Sequence, residues 1–124
     1  MWIAFSTPKG AGFVSIVAKD REGRPTGPNP EDELSIRFRR TEDAAKLGID
    51  DVILTPGGDY GSRAFLSRSA VAELMASMAS TMDYTNFKSS IPSEDRDMLH
   101  ACHDAWSVFG DLQPSGPYST QPSP

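Results

Sequence analysis

Leu34-Ser35-Ile36-Arg37-Phe38-Arg39 decides the fold. Apolar and polar residues alternate along it without a break. Successive side chains of a strand point to opposite faces. Leu34, Ile36 and Phe38 therefore share a core-facing side, and Ser35, Arg37 and Arg39 form a polar ladder behind it. Upstream, Phe13 to Lys19 carries apolar and β-branched residues on both faces, the mark of a central, covered strand. Met1 to Ser6 reads as another strand. Thr7-Pro8-Lys9-Gly10-Ala11-Gly12 is a turn whose glycines permit positive φ, so the two strands read as a hairpin. Downstream, Asp51 to Thr55 and Arg63 to Ser67 are two short strands separated by the turn Pro56-Gly57-Gly58-Asp59.

Helical patterns follow. Thr41 is placed to cap a short helix with Glu42 and Asp43 in its first turn, Ala44, Ala45 and Leu47 on its apolar edge and Gly48 at its end. Ser67 or Ser69 caps a longer one running to about Met82, with Val71, Leu74, Met75, Met78 and Met82 on one stripe. A core stripe is the simplest reading of these methionines; an adaptable binding groove is the alternative. Ser93 is placed to cap the last helix, whose expected buried stripe is Met98, Cys102, Ala105, Trp106 and Phe109, with Gly110 as its stop. The expectation is an α+β fold: an antiparallel sheet of about five strands, two long helices packed on one face, and one short helix. Residues 1–112 form a single domain on this reading, and the Pro-, Ser- and Gly-rich residues 113–124 a disordered tail.

The net charge of −5 is spread along the chain and argues against nucleic acid or an anionic membrane as partner. A single cysteine, Cys102, excludes an internal disulfide and fits a cytoplasmic location. Met1-Trp2-Ile3-Ala4-Phe5 lacks a basic leader and a cleavage site, so no signal peptide is expected, and no apolar run reaches the length of a bilayer. Asp20 to Asp32 is a polar loop with Gly23, Pro25, Gly27, Pro28 and Pro30 and no apolar anchor. It reads as a mobile, solvated connector, with a flap over a ligand as the alternative.

The order of short motifs resembles a family of small uncharacterised bacterial and phage proteins. The resemblance rests on Gly12-Phe13-Val14-Ser15-Ile16-Val17, Leu34 to Arg39, Asp59-Tyr60 with Arg63, Asp83-Tyr84-Thr85-Asn86-Phe87-Lys88, and His103 with Trp106. The hexapeptide is the most specific of these. The resemblance implies a phage or mobile-element context and brings no activity or cofactor.

The polar residues of these motifs support two kinds of site. In the structural one, Asp59 and Asp83 pair with Arg37 or Arg63 and clamp helix ends to the sheet, with Asn86 and Trp106 as further supports. In the binding one, Arg37, Arg39 and Arg63 with Tyr60, Tyr84, Lys88 and His103 hold an anion, because guanidinium forks match phosphate and carboxylate. The plainest account of the arginines is a solvated face paired with nearby carboxylates. No catalytic residue is assigned: His103 or a tyrosine has the right chemistry for general acid–base work, but no motif fixes its geometry. His100, His103 and Asp104 share helical spacing without a recognised partner motif, so no metal and no cofactor are expected. The leading expectation is a non-enzymatic protein that binds a macromolecule, most simply a host protein, as an inhibitor or adaptor. The alternative is a small enzyme or binding module for a nucleotide or other phosphate on the Arg37/Arg39/Arg63 face. A structural assembly subunit is a third class.

Overall fold

A computed structural model of the chain describes residues 1–117. They fall in two compact units, one from Met1 to Thr85 and one beginning at Asn86. The expected disordered tail lies outside the described residues from position 118 onward.

The first unit is built on five antiparallel strands: β1 (Trp2–Thr7), β2 (Gly10–Val17), β3 (Glu33–Phe38), β4 (Ile53–Leu54) and β5 (Ser62–Ser67). Their spatial order is β1-β2-β3-β5-β4. The alternation at Leu34–Arg39 does what periodicity requires. Leu34, Ile36 and Phe38 are buried in a core with Phe5, Val14, Ile16 and Ala64. That face is covered by α2 (Arg68–Ser80), through Val71, Leu74 and Met78, and by α1 (Asp43–Lys46), through Ala44. Met75 and Met82, expected on the same stripe, are exposed. The fold is α+β, as the residue pattern predicts.

Two details of α1 and α2 differ from expectation. Thr41 does not cap α1; its hydroxyl lies 3.0 Å from that of Ser62, which is fully buried and needs a partner. Ser67 does cap α2, accepting from Ala70 N–H at 3.2 Å. The segment Asp20 to Asp32 is a hydrogen-bonded structure rather than a free connector. Asp20 Oδ1 accepts from the N–H groups of Glu22 and Arg24, both at 2.9 Å. Further on, the carbonyls of Pro30 and Asp32 accept from Ser69 and Arg68 N–H at 3.0 and 2.8 Å. The first N–H groups of a helix have no partner within it. The loop supplies two, which explains why a proline-rich segment, short of donors but not of carbonyls, sits there.

The second unit contains α3 (Phe87–Ser90), a further four-residue helix, then α4 (Arg96–Phe109) and a 3-10 turn (Gly110–Leu112). Asn86 caps α3 through Ser89 N–H at 3.2 Å. Asp95, not Ser93, caps α4, through Met98 N–H at 3.3 Å. Asp95 N–H is still bonded to the Pro92 carbonyl, so a turn occupies Ser93 and the helix starts after it. The stripe expected to be buried along α4 is buried only at Met98, while Cys102 is half-buried and Ala105, Trp106 and Phe109 are exposed. Periodicity marks an apolar face; among the described residues of this unit only a four-residue helix and a 3-10 turn are present to cover it. No helix of the described residues is long and apolar enough to cross a membrane.

Candidate functional site

The outward face of the sheet carries the candidate site. Cross-strand partners place Trp2, Ser15, Arg37, Arg63 and Ile53 in one row across all five strands. Ser15, second in the row, is fully buried, and Arg37 at its middle lies against it, donating from Nη2 to its Oγ at 2.6 Å. Arg37 and Arg63 are directly opposed. Two like charges facing each other across a ladder destabilise the pair unless something else offsets them.

Tyr60 is part of the offset. It ends the turn after β4, where Thr55 Oγ1 donates to its carbonyl at 2.6 Å and Thr55 N–H bonds Gly61 O at 2.9 Å. Gly57, at φ +81°, makes the turn possible. The hairpin so fixed sets the Tyr60 ring, only 4% exposed, against two guanidinium groups. Arg37 Cζ is 4.5 Å and Arg39 Cζ 4.3 Å from its ring centroid. Each such contact contributes about 0.5–2 kcal/mol, the larger value where water is excluded. Asp59 beside it binds Arg63 Nη2 at 3.1 Å, and its backbone carbonyl accepts from Arg39 Nη1. The Asp59 side chain is 67% exposed, so solvent screens much of its charge. Its pairing ties the β4–β5 turn to β5, not a helix end to the sheet.

Among the described residues, Arg37 and Arg39 form no ion pair, and Arg37 Nε is buried without an acceptor. Three guanidinium groups, one buried tyrosine and one screened carboxylate thus make a cationic patch on an acidic chain. All three arginines spring from or beside paired strands. Guanidinium groups in this arrangement can hold carboxylate or phosphate oxygens.

The remaining expected residues lie elsewhere. Tyr84 is half-buried near the end of the first unit, and Asp83 beside it is exposed, with no ion pair among the described residues. Lys88, His103 and Trp106 form a group of their own in the second unit. Lys88 Nζ lies 4.1 Å from the Trp106 ring centroid, and the His103 ring stacks on Trp106 at 5.8 Å. Among the described residues no three His, Cys, Asp or Glu side chains converge as metal ligands would.

Sequence reasoning missed the residue that does clamp a helix to the sheet. Asp43 is 1% exposed. Its carboxylate binds Lys46 Nζ at 2.9 Å and Arg40 Nη2 at 3.0 Å and accepts from Phe13 N–H at 3.2 Å. Lys46 Nζ also donates to Ala11 O at 2.9 Å. The carboxylate approaches Gly12 so closely that a Cβ there would lie 2.6 Å from Asp43 Cγ. The signal was present as the spacing Arg40-x-x-Asp43-x-x-Lys46, one helical turn either side of the acid. Arg40 also reaches Glu42, at 3.8 Å, and the cluster holds α1 on β2.

Comparison with protein-family models, with curated proteins and with solved structures finds no match to this chain.

Proposed function

We propose that this protein is a non-enzymatic binding module whose working surface is the Arg37/Arg39/Arg63–Tyr60 patch, and that its partner is a protein presenting carboxylates. The observation that carries the reading is the absence of ion pairs at Arg37 and Arg39 among the described residues, in a chain with 17 acidic residues against 12 basic ones. A merely solvated face would draw in the chain's own carboxylates. Here the acidic side chains pair with other cations, as Asp43 does with Arg40 and Lys46 and Glu33 with Arg21. The patch lies on the face of a sheet, which suits a macromolecular surface. The motif resemblance to small bacterial and phage proteins is the ground for assigning it the role of an inhibitor or adaptor encoded by a phage or mobile element.

The second reading, a free phosphate or nucleotide on the same arginines, has Arg37 Nε in its favour, a buried donor that an anion oxygen would satisfy. Cross-linked capture from host lysate separates the two. The wild-type protein retains one partner, Arg39→Glu/Arg63→Glu does not, and retention falls with salt. A partner held equally by both proteins places the surface elsewhere. Salt-sensitive stabilisation by nucleotide alone, with no protein retained, favours the second reading.

A further inference from the structure

The face of the sheet turned away from the core is not polar throughout. Phe13 and Val17 share it with Ser15, and Phe65 shares it with Arg63, because alternate residues of a strand lie on one side. All three are half-buried. Apolar residues on both faces of β2 are the mark of a covered strand, and α1 and α2 cover the other face. Around the arginine patch this face also carries two exposed apolar side chains, Trp2 at 68% and Ile53 at 43%. They stand at the two ends of one cross-strand row, with Ser15, Arg37 and Arg63 between them.

The row has a definite length. Neighbouring strands lie about 4.8 Å apart, so Trp2 and Ile53 are separated by about 19 Å, and the two arginines by one strand spacing. The Trp2 ring is held over the sheet: it packs edge-on against Phe13, with centroids 6.1 Å apart and planes at 69°. At the other end, Ile53 is directly opposed to Arg63. Two apolar contacts therefore bracket a cationic centre. Phe65, lying under the Arg21 guanidinium at 5.0 Å, borders that centre on a neighbouring row.

Resting on the arginine patch as the working surface, we propose that its ligand is an acidic protein segment with apolar side chains on both sides of its carboxylates, received by Trp2 and Ile53. Charge selects the carboxylates, since Arg37 and Arg39 form no ion pair among the described residues. An extended chain advances about 3.3 Å per residue, so the two apolar side chains lie about six residues apart with the acids between them. Trp, Tyr and Arg dominate the energetics of protein–protein contacts, and Trp2, Tyr60 and the arginines meet on this face. Single-stranded nucleic acid also combines anions with rings. Ile53, however, is no platform for a stacked base, and a chain of net charge −5 repels phosphates beyond the patch.

The test is a calorimetric titration of the full chain with poly-L-glutamate and with a glutamate–tyrosine copolymer of equal length. The Trp2 indole N–H is followed by NMR, with Trp106 as internal control. The copolymer has fewer carboxylates, so charge alone makes it the weaker ligand. It should instead bind about tenfold tighter, shifting Trp2 and leaving Trp106 unmoved. In Trp2→Ala and in Ile53→Ser that advantage should be lost; should one variant fail to fold, the other decides alone. Equal or weaker binding of the copolymer by wild type overturns the proposal and leaves the arginine patch standing, since poly-L-glutamate still binds. An advantage that persists in the folded variants overturns it too. Oligothymidylate that displaces the copolymer and shifts Trp2 further overturns it in favour of nucleic acid. If neither polymer binds, the patch is not the working surface, and the proposal falls with it.

Discussion

Among the described residues Asp43 is the one charged side chain that is fully buried. Its carboxylate is enclosed by Arg40, Lys46 and the Phe13 amide, with Gly12 leaving room for it. Removing one partner of a buried pair leaves the others uncompensated, at a cost of about 3–5 kcal/mol. Asp43→Ala should therefore lower the midpoint of urea unfolding by an amount of that order; a midpoint unchanged within error would remove Asp43 from the account. The sequence suggests only a first-turn acid here, because dipole reasoning looks along one helix, whereas Phe13 is distant in sequence. At the patch the reverse holds. Which way Arg37 and Arg39 point is legible from alternation alone. That Tyr60 would close on both, and that no carboxylate would come to either, depends on the hairpin after β4 and could not be read from spacing.

Among the elements, the Asp20 to Asp32 loop departs furthest from its reading. Its composition suggests mobility, yet it supplies acceptors for the first turn of α2. The N–H groups of Arg24 and Glu22, with the Arg24 charge, hold the Asp20 carboxyl below its ordinary range against a smaller opposing effect of desolvation. A folded value below the unfolded one means that the contribution to stability is present in full above the unfolded value. It is lost as pH falls through the folded value. Amide exchange at Glu22 and Arg24, corrected for intrinsic rates, should accelerate below the ordinary value of 3.8, and Asp20→Asn should remove that pH dependence. An identical acid response in wild type and variant would contradict this. Composition misled because it counts apolar anchors, while this loop is anchored by backbone carbonyls. For α4 the periodicity gave the apolar face correctly. Burial depends on what else is near, which periodicity does not contain.

At the scale of the molecule, the number and direction of the strands were legible, and their order was not. Hairpins fix β1 beside β2 and β4 beside β5; the long-range pairing of β3 with β5 puts β4 outside. That order produces the row from Trp2 to Ile53 and brings Arg37 opposite Arg63. The central claim remains the patch itself. Its most direct test is a titration of the protein with poly-L-glutamate, observing the arginine side-chain Nε–H resonances by NMR. The account predicts that Arg37, Arg39 and Arg63 shift together, ahead of the other arginines, and return as salt is added. Shifts spread evenly over all the arginines, or absent from these three, would contradict it.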